Sequence, residues 1–147
     1  FENMPVKAVA IASDHRGIAL KAALSVTLRA RGLKVLDLGP DSEDAVDYSD
    51  FADKVAHEIT CGRAERGILI CGSGIGMSIA ANRHRQVRAA LCHDVDSTRR
   101  TRQHNDANVL TLPGALISES DAQACLGAFL DTAFEGGSHA RRVAKLA

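Results

Sequence analysis

The residues best suited to chemistry lie in one short segment, ICGSGIGMS, which spans residues 70–78. Its three glycines fall within five residues, and a glycine-rich turn that leads into a helix presents backbone N–H groups to an anion. Cys71 stands at the mouth of this turn. A thiol at the N-terminus of a helix has a lowered pKa and can act as a base or a nucleophile. Cys71 therefore has two open interpretations, a reactive thiol or a small buried hydrophobic residue.

The glycine spacing matches no standard nucleotide-binding or hydrolase motif. The dinucleotide fingerprint G-x-G-x-x-G follows the first strand of its fold, whereas G-x-G-x-G here follows the third predicted strand. The chain has no G-K-[ST] sequence of a P-loop after this turn, and Cys71 takes the place of the first glycine in a G-x-S-x-G nucleophile elbow. The spacing alone is thus a weak indication of function.

Three of the six histidines have neighbours that suggest a role. His15 follows Asp14 at the end of a predicted strand, and a site role and a structural role are equally open there. His104 either caps a helix or acts in a site. His139 and Arg142 share one helical face, which suits either a phosphate clamp or a solvated basic end. Two others are expected to be solvated: His57 and His84.

Composition restricts the class of protein. With 147 residues, 46% of them hydrophobic, the chain is long enough for one domain with its own core, placed at residues 4–147. Residues 1–3 precede Met4 and are interpreted as a vector-derived remnant. A net charge of +0 and a single tyrosine argue against a nucleic-acid or membrane partner. Four cysteines without CxxC spacing predict free thiols, no metal site and a cytoplasmic location.

Short apolar runs alternate with helical patterns along the chain. This alternation predicts an α/β fold, a three-layer α/β/α sandwich around a Rossmann-like parallel sheet of about five strands. Helical faces are predicted from apolar residues spaced by about four, as in the set Ile18, Ala22 and Val26 and in the set Ala122, Cys125, Phe129 and Ala133. The predicted strands are residues 9–12, 35–38, 67–70, 87–91 and 109–112.

Ligands of such sheets bind beyond the carboxyl ends of the strands. Asp14 and His15 follow the first predicted strand, residues 71–76 follow the third, and His93 and Asp94 follow the fourth. The glycine turn is therefore expected to form part of a site.

Several segments together resemble the ribose-5-phosphate isomerase B family, which includes the galactose-6-phosphate isomerase subunits. The cysteine–glycine turn followed later by Arg-Gln-His-Asn-Asp is the specific part of the resemblance. The matching segments run across nearly the whole chain: residues 13–15, 47–48, 67–76, 78–82, 102–106 and 135–137.

The resemblance implies an aldose–ketose isomerase of phosphorylated sugars that uses no metal and no cofactor. The default reaction is ribose 5-phosphate to ribulose 5-phosphate through an enediolate. A hexose 6-phosphate or a tetrose phosphate is an alternative substrate within the family. The alternatives outside it are a non-catalytic sugar-phosphate-binding subunit and a cysteine-nucleophile hydrolase, which would need a histidine and an acid aligned on the thiol.

The resemblance also implies roles for individual residues. Cys71 is the base that moves a proton between C1 and C2, and Ser73 shares in proton transfer. His104 assists ring opening, with Asp14 nearby. The N–H groups of residues 72–76 stabilise the enediolate. The implied substrate-binding residues are His15, Tyr48, Gly72, Gly74, Gly76, Asn105, His139 and Arg142.

Phosphate recognition departs from the family pattern at two positions. Ser138 and Ala115 stand where family members carry arginine. Each lost guanidinium removes a charge-assisted contact of about 1.5–3 kcal/mol if buried. Four arginines are candidate replacements: Arg16, Arg99, Arg100 and Arg141.

The resemblance further implies a homodimer, or a dimer of dimers, in which two chains share each active site. His104 and Asn105 would come from the neighbouring chain, and the C-terminal helix would pack on the partner.

Overall fold

A computed structural model describes residues 5–42 and 44–147, so the remnant assigned to residues 1–3 lies outside the described residues. Five parallel strands form one sheet in the order β2-β1-β3-β5-β4. The predicted α/β fold with a parallel sheet of about five strands is confirmed. The strands are β1 (Ala8–Ser13), β2 (Lys34–Asp37), β3 (Arg66–Cys71), β4 (Ala89–Leu91) and β5 (Val109–Pro113).

Six helices accompany the strands. They are α1 (Ile18–Ala30), α2 (Tyr48–Thr60), α3 (Ile75–Ala81), α4 (Val95–Asn105), α5 (Glu119–Asp131) and α6 (Ser138–Ala144). Among the described residues, no helix has both the length and the apolar character needed to cross a bilayer.

The sheet is apolar on both faces, and the two faces belong to separate hydrophobic clusters. Side chains of β1 alternate between them, because successive residues of a strand point to opposite faces. Val9 and Ile11 pack in the cluster of α1 and α5, whereas Ala8, Ala10 and Ala12 pack in the cluster of α2 and α3. Helices thus cover both faces of the sheet, which gives the three predicted layers.

The strand order has a switch point between β1 and β3. From β1 the chain crosses to β2 on one side and then returns to β3 on the other side. Ser13 pairs with Ile70, and the Asp14 N–H donates to the Ile70 carbonyl at 2.8 Å. The carboxyl ends of β1 and β3 therefore lie side by side, at the place where ligands bind in this architecture.

The face of α1 differs from the prediction made from Ile18, Ala22 and Val26. Val26 is 67% exposed, and the buried residues of the helix are Lys21, Leu24, Ser25 and Leu28. The helical period was predicted correctly but its phase was wrong, because the buried face contains a lysine and a serine. Ala133 likewise lies beyond the end of α5 at Asp131 and is exposed.

Buried Lys21 fixes the loop that follows β2. Its ammonium donates to Asp37 Oδ1 at 2.7 Å and to the Pro40 carbonyl at 2.9 Å. Asp37 Oδ1 also accepts the Gly39 N–H at 2.9 Å, and the Gly39 carbonyl accepts the Ser13 N–H at 3.1 Å. The Lys21–Asp37 pair thus holds this loop against the carboxyl end of β1.

Asp37→Asn should destabilise the fold by about 2 kcal/mol or more, because it leaves the Lys21 ammonium, 3% exposed, without a counter-charge. Urea unfolding gives the free energy of unfolding. Asp131→Asn is the matched control, since it breaks an ion pair with Arg31 in which the two side chains are 66% and 37% exposed. That control should cost under about 1 kcal/mol. Equal losses in the two variants would contradict the structural role of the buried pair.

Candidate active site

The carboxylate of Asp14 joins two turns at the switch point. Its Oδ1 accepts the N–H groups of Arg16 and Gly17 at 3.1 and 2.8 Å, and its Oδ2 accepts the Gly72 N–H at 3.2 Å. Gly17 makes room for this arrangement, because a Cβ there would lie 2.9 Å from the Ile70 side chain. One side chain thereby sets the spacing between the turn after β1 and the glycine turn after β3.

Cys71 is the last residue of β3 and is 7% exposed. Burial raises the pKa of its thiol, hydrogen bonds from the N–H groups of Met77 and Gly74 lower it, and the Asp14 carboxylate raises it. The net shift of the pKa is upward. This differs from the lowered pKa expected of a thiol at a helix N-terminus, because burial and a nearby negative charge outweigh the two N–H donors.

The N–H groups of the glycine turn are divided among several acceptors. Gly72 donates to Asp14, Gly74 donates to the Cys71 sulfur, and Ile75 donates to Ser73 Oγ at 3.3 Å. Among the described residues, the N–H groups of Ser73 and Gly76 have no hydrogen-bond partner. An anion at this turn would therefore meet two available N–H donors.

Tyr48, at the start of α2, covers one side of the turn. Its ring packs directly on Gly76, where a Cβ would lie 2.5 Å from the Tyr48 Cε1 atom. The Tyr48 side chain remains 46% exposed. A residue larger than glycine at position 76 would displace the ring, so the two residues together shape the rim of the site.

Two further positions adjoin the turn. Nδ1 of His15 is buried and has no hydrogen-bond partner within residues 5–42 and 44–147, which costs free energy unless a ligand or water supplies one. The Ala115 N–H donates to the Gly72 carbonyl at 3.0 Å. Ala115 is exposed, so an arginine at this position would start directly beside the glycine turn.

The other predicted site residues lie at the opposite edge of the sheet. Helix α4 connects the carboxyl end of β4 with the amino end of β5, and its 11 residues span about 16 Å. His104 and Asn105 lie at the far end of this helix. His139 on α6 stacks against His104, with ring centroids 4.4 Å apart and planes 13° apart. Arg142 follows on α6 and is exposed.

The structure therefore forms two groups of predicted site residues. At the carboxyl edge stand Asp14, His15, Tyr48, Cys71, Gly72, Ser73, Gly74 and Gly76. At the amino edge stand His104, Asn105, His139 and Arg142. Within one chain, the length of α4 keeps His104 away from Cys71.

Two side chains that sequence reasoning missed hold the end of α4. Arg102 is 1% exposed and donates to Asp106 Oδ1 at 2.8 Å and to the carbonyls of Ala107 and Thr132. Arg88 donates to Asp106 Oδ2 at 3.3 Å. The i, i+4 spacing of Arg102 and Asp106 could have indicated their pair, whereas Arg88 joins it only through the fold.

Comparison with known proteins identifies the family. A family profile described as ribose/galactose isomerase matches residues 9–146. A D-erythrulose-4-phosphate isomerase of Pectobacterium atrosepticum is 42% identical over 140 residues, covering 94% of this chain and 91% of that protein.

Two solved structures also match nearly the whole chain. A ribose 5-phosphate isomerase from Thermotoga maritima has a TM-score of 0.93 and 48% identity, covering 95% of this chain and 97% of that one. Ribose-5-phosphate isomerase B from Mycoplasma genitalium with bound ribulose-5-phosphate has a TM-score of 0.92 and 39% identity, covering 97% and 95%. The resemblance inferred from the sequence is confirmed, and the chain belongs to the ribose/galactose isomerase family.

Proposed function

We propose that this chain is an aldose–ketose isomerase that interconverts ribose 5-phosphate and ribulose 5-phosphate through an enediolate. The observation that carries the proposal is the position of the Cys71 thiol, near the Asp14 carboxylate and in the same turn as the N–H groups of Ser73 and Gly76, which have no partner in the part of the chain that the structure describes. The names of the Thermotoga maritima and Mycoplasma genitalium proteins support ribose 5-phosphate as the default substrate.

Cys71 is the base of the proposed reaction. Its thiolate takes the proton from C2 of the open-chain aldose, and the electron pair moves to the carbonyl oxygen O1, which gives the enediolate. A proton then passes from the hydroxyl on C2 to O1, with Ser73 sharing in this transfer, and the thiol returns its proton to C1 as C2=O forms. The N–H groups of Ser73 and Gly76 donate to the enediolate oxygen, where negative charge develops. A thiolate of raised pKa is less populated at neutral pH but is a stronger base toward a carbon acid.

Ser73 and Tyr48 complete the proposed sugar site on this edge. Ser73 Oγ accepts the Ile75 N–H, which leaves the hydroxyl hydrogen available for the oxygens of the substrate. The exposed Tyr48 ring lies over Gly76 and would contact the sugar.

His104 and Asn105 complete each site from a second copy of the chain. In one chain α4 separates them from Cys71 by the depth of the sheet, so ring opening by His104 requires association. Exposed apolar side chains lie on α3, at the end of β4 and after β5, toward the carboxyl edge, where a partner would cover them. They are Ile75 and Ile79, each 55% exposed, Leu91, 36% exposed, and Leu116, 75% exposed. We infer a homodimer in which two chains share each active site. In this dimer α6 brings His139 and Arg142 to the phosphate of the substrate. A dimer of dimers is the larger assembly that we consider.

The proposed phosphate site departs from the family pattern at two positions. His15, His139 and Arg142 remain for the phosphate, but Ala115 beside the glycine turn and Ser138 at the start of α6 offer no guanidinium. Arg16, exposed next to His15, is the best-placed replacement, since Arg100 is paired with Asp96. Arg99 and Arg141 are exposed on α4 and α6.

A tetrose phosphate is the second candidate substrate. The Pectobacterium atrosepticum relative is named for such a substrate, and Ala115 and Ser138 show that the phosphate contacts of this chain depart from the family pattern. We infer a cytoplasmic location, because all four cysteines are free thiols, as is usual in a reducing compartment. We also infer that residues 4–147 form one domain.

Cys71→Ala should abolish isomerisation while substrate binding persists, because it removes the base and leaves the turn intact. The assay follows aldose–ketose conversion of tetrose, pentose and hexose phosphates and of the matching free sugars. Cys125→Ala is the matched control, since it removes a buried thiol of α5 remote from the site and should stay active. Full turnover in Cys71→Ala would overturn the proposed mechanism. Binding without turnover in the wild-type protein would instead favour a non-catalytic subunit.

Alkylation of Cys71 by iodoacetamide should accelerate as pH rises through a pKa above that of an ordinary cysteine. The raised pKa means that the thiol is protonated at neutral pH and ionises only at higher pH. Asp14→Asn removes a negative charge and should move the alkylation profile to lower pH. Peptide mass spectrometry from pH 6 to 10 measures the rate at Cys71, with exposed Cys61 as the internal control for the reagent. A wild-type midpoint below that of free cysteine would contradict this account.

Mixing two inactive variants tests whether the site is shared. Cys71→Ala and His104→Ala should each be inactive, and refolding them together at equal amounts should restore about a quarter of wild-type activity. Half of the dimers would be mixed, and each would carry one intact site. Cys71→Ala mixed with Ser73→Ala is the control: both changes fall on the same side of the site, so the mixture should show no more activity than the mean of the two variants measured alone. Absence of restoration in the first mixture would mean that the site is not shared.

A further inference from the structure

A cluster of three side chains at the amino edge has a composition suited to a metal ion. Nε2 of His104 lies 3.8 Å from Glu135 Oε1, and Nε2 of His139 lies 3.7 Å from the same oxygen. The three candidate ligand atoms all lie within 4.8 Å of one another. Glu135 was no part of the predicted site, and the proposed isomerisation gives it no task.

The spacing is close to what a tetrahedral zinc ion requires. Zinc bonds to imidazole nitrogen and carboxylate oxygen are about 2.0–2.2 Å long, which places two ligands on one ion about 3.3–3.5 Å apart. The two nitrogen–oxygen separations, 3.8 and 3.7 Å, exceed this range by a few tenths of an ångström, and the two nitrogens lie within 4.8 Å of each other. The stacked rings must tilt toward each other for both nitrogens to face one ion, and their exposure of 42% and 24% leaves room for that movement.

The identity of the ligands restricts the class of ion. Two imidazoles and one carboxylate suit Zn²⁺ and neighbouring transition metals, whereas Mg²⁺ and Ca²⁺ prefer oxygen ligands. A fourth position would face solvent, since the Glu135 side chain is 51% exposed. By contrast, the pair of His84 and Asp53, with Nε2 and Oδ1 2.8 Å apart, offers two ligands, which makes a weaker site.

We propose that His104, Glu135 and His139 form a binding site for Zn²⁺, and that its occupancy inhibits the isomerase. The inhibition rests on the proposed function, while binding of the ion does not. A bound ion occupies Nε2 of His104, which can then neither give a proton to the ring oxygen of a sugar nor take one from it. It also occupies His139, so zinc and the substrate phosphate compete.

Zinc affinity is measured by competition with a chromophoric chelator. All measurements use the full chain carrying Cys61→Ser, which removes the exposed thiol and serves as the background protein. Glu135→Gln should weaken zinc binding by at least about tenfold, since loss of even an outer partner of a ligand costs about 10–100-fold. Asp53→Asn, which alters the two-member His84 pair, should leave the affinity unchanged. Cys71→Ala should also leave it unchanged. Equal affinities in Glu135→Gln and its background would overturn the proposed site.

Isomerase assays provide the second measurement. Glu135→Gln should keep the activity of the background protein without zinc and should need at least about tenfold more zinc for half inhibition. Added Mg²⁺ should not inhibit either protein. Zinc binding that depends on Glu135 in a protein without isomerase activity would disprove the proposed function and leave the site standing. Inhibition of equal strength in both proteins would overturn the inhibitory role of this site.

Discussion

The hydrogen bonds of the Asp14 carboxylate are the constraint on which the carboxyl edge depends. Adjacent parallel strands bring the ends of β1 and β3 together, but strands alone do not fix the turns that follow them. Asp14 does so by accepting N–H groups from both turns. Burial is the main cause of the raised pKa of the Cys71 thiol, and the negative charge of Asp14 raises that pKa further. One side chain therefore both positions the glycine turn and contributes to the pKa of the proposed base.

The length of α4 determines how the remaining residues can take part. A helix that returns from the carboxyl end of one strand to the amino end of the next must cross the depth of the sheet. Arg102 and Arg88 then hold its last turn through Asp106, which keeps His104 and Asn105 in one position at the amino edge. The predicted site residues of one chain therefore lie in two groups at opposite edges of the sheet. In the proposed homodimer, each group would meet the complementary group of the second copy.

Much of the fold follows from local patterns in the sequence. The run at Ile68 is apolar throughout and the run at Leu110 is apolar apart from the buried Thr111, because those strands are covered on both faces. The glycines that follow these strands mark the turns. The position of Cys71 at the carboxyl edge follows from the order of the elements. The phase of α1 does not follow from the sequence pattern, because the burial of Lys21 depends on its ion pair with Asp37, which lies on β2. A prediction from the hydrophobic pattern treats lysine as exposed, and it therefore assigns the wrong face of α1 to the core.

The candidate site, like the fold, could be predicted from the sequence only in part. The family resemblance named its residues, but the raised pKa of Cys71 depends on burial and on the distance to Asp14, which are properties of the folded chain. The contact of Glu135 with His104 also arises from the fold, because His104 lies on α4, whereas Glu135 and His139 are only four residues apart in the sequence. Residues that act through tertiary neighbours are thus the ones that the sequence alone could not assign.

The ring that rests on Gly76 gives the protein a built-in spectroscopic reporter. Tyr48 is the single tyrosine of the chain, and the chain contains no tryptophan. Ultraviolet emission excited near 280 nm therefore comes essentially from one phenol group, half exposed at the rim of the candidate site. Any sugar that displaces water from this ring or shifts it on Gly76 changes that emission without competing background. Ligand affinity can be read from the unlabelled protein.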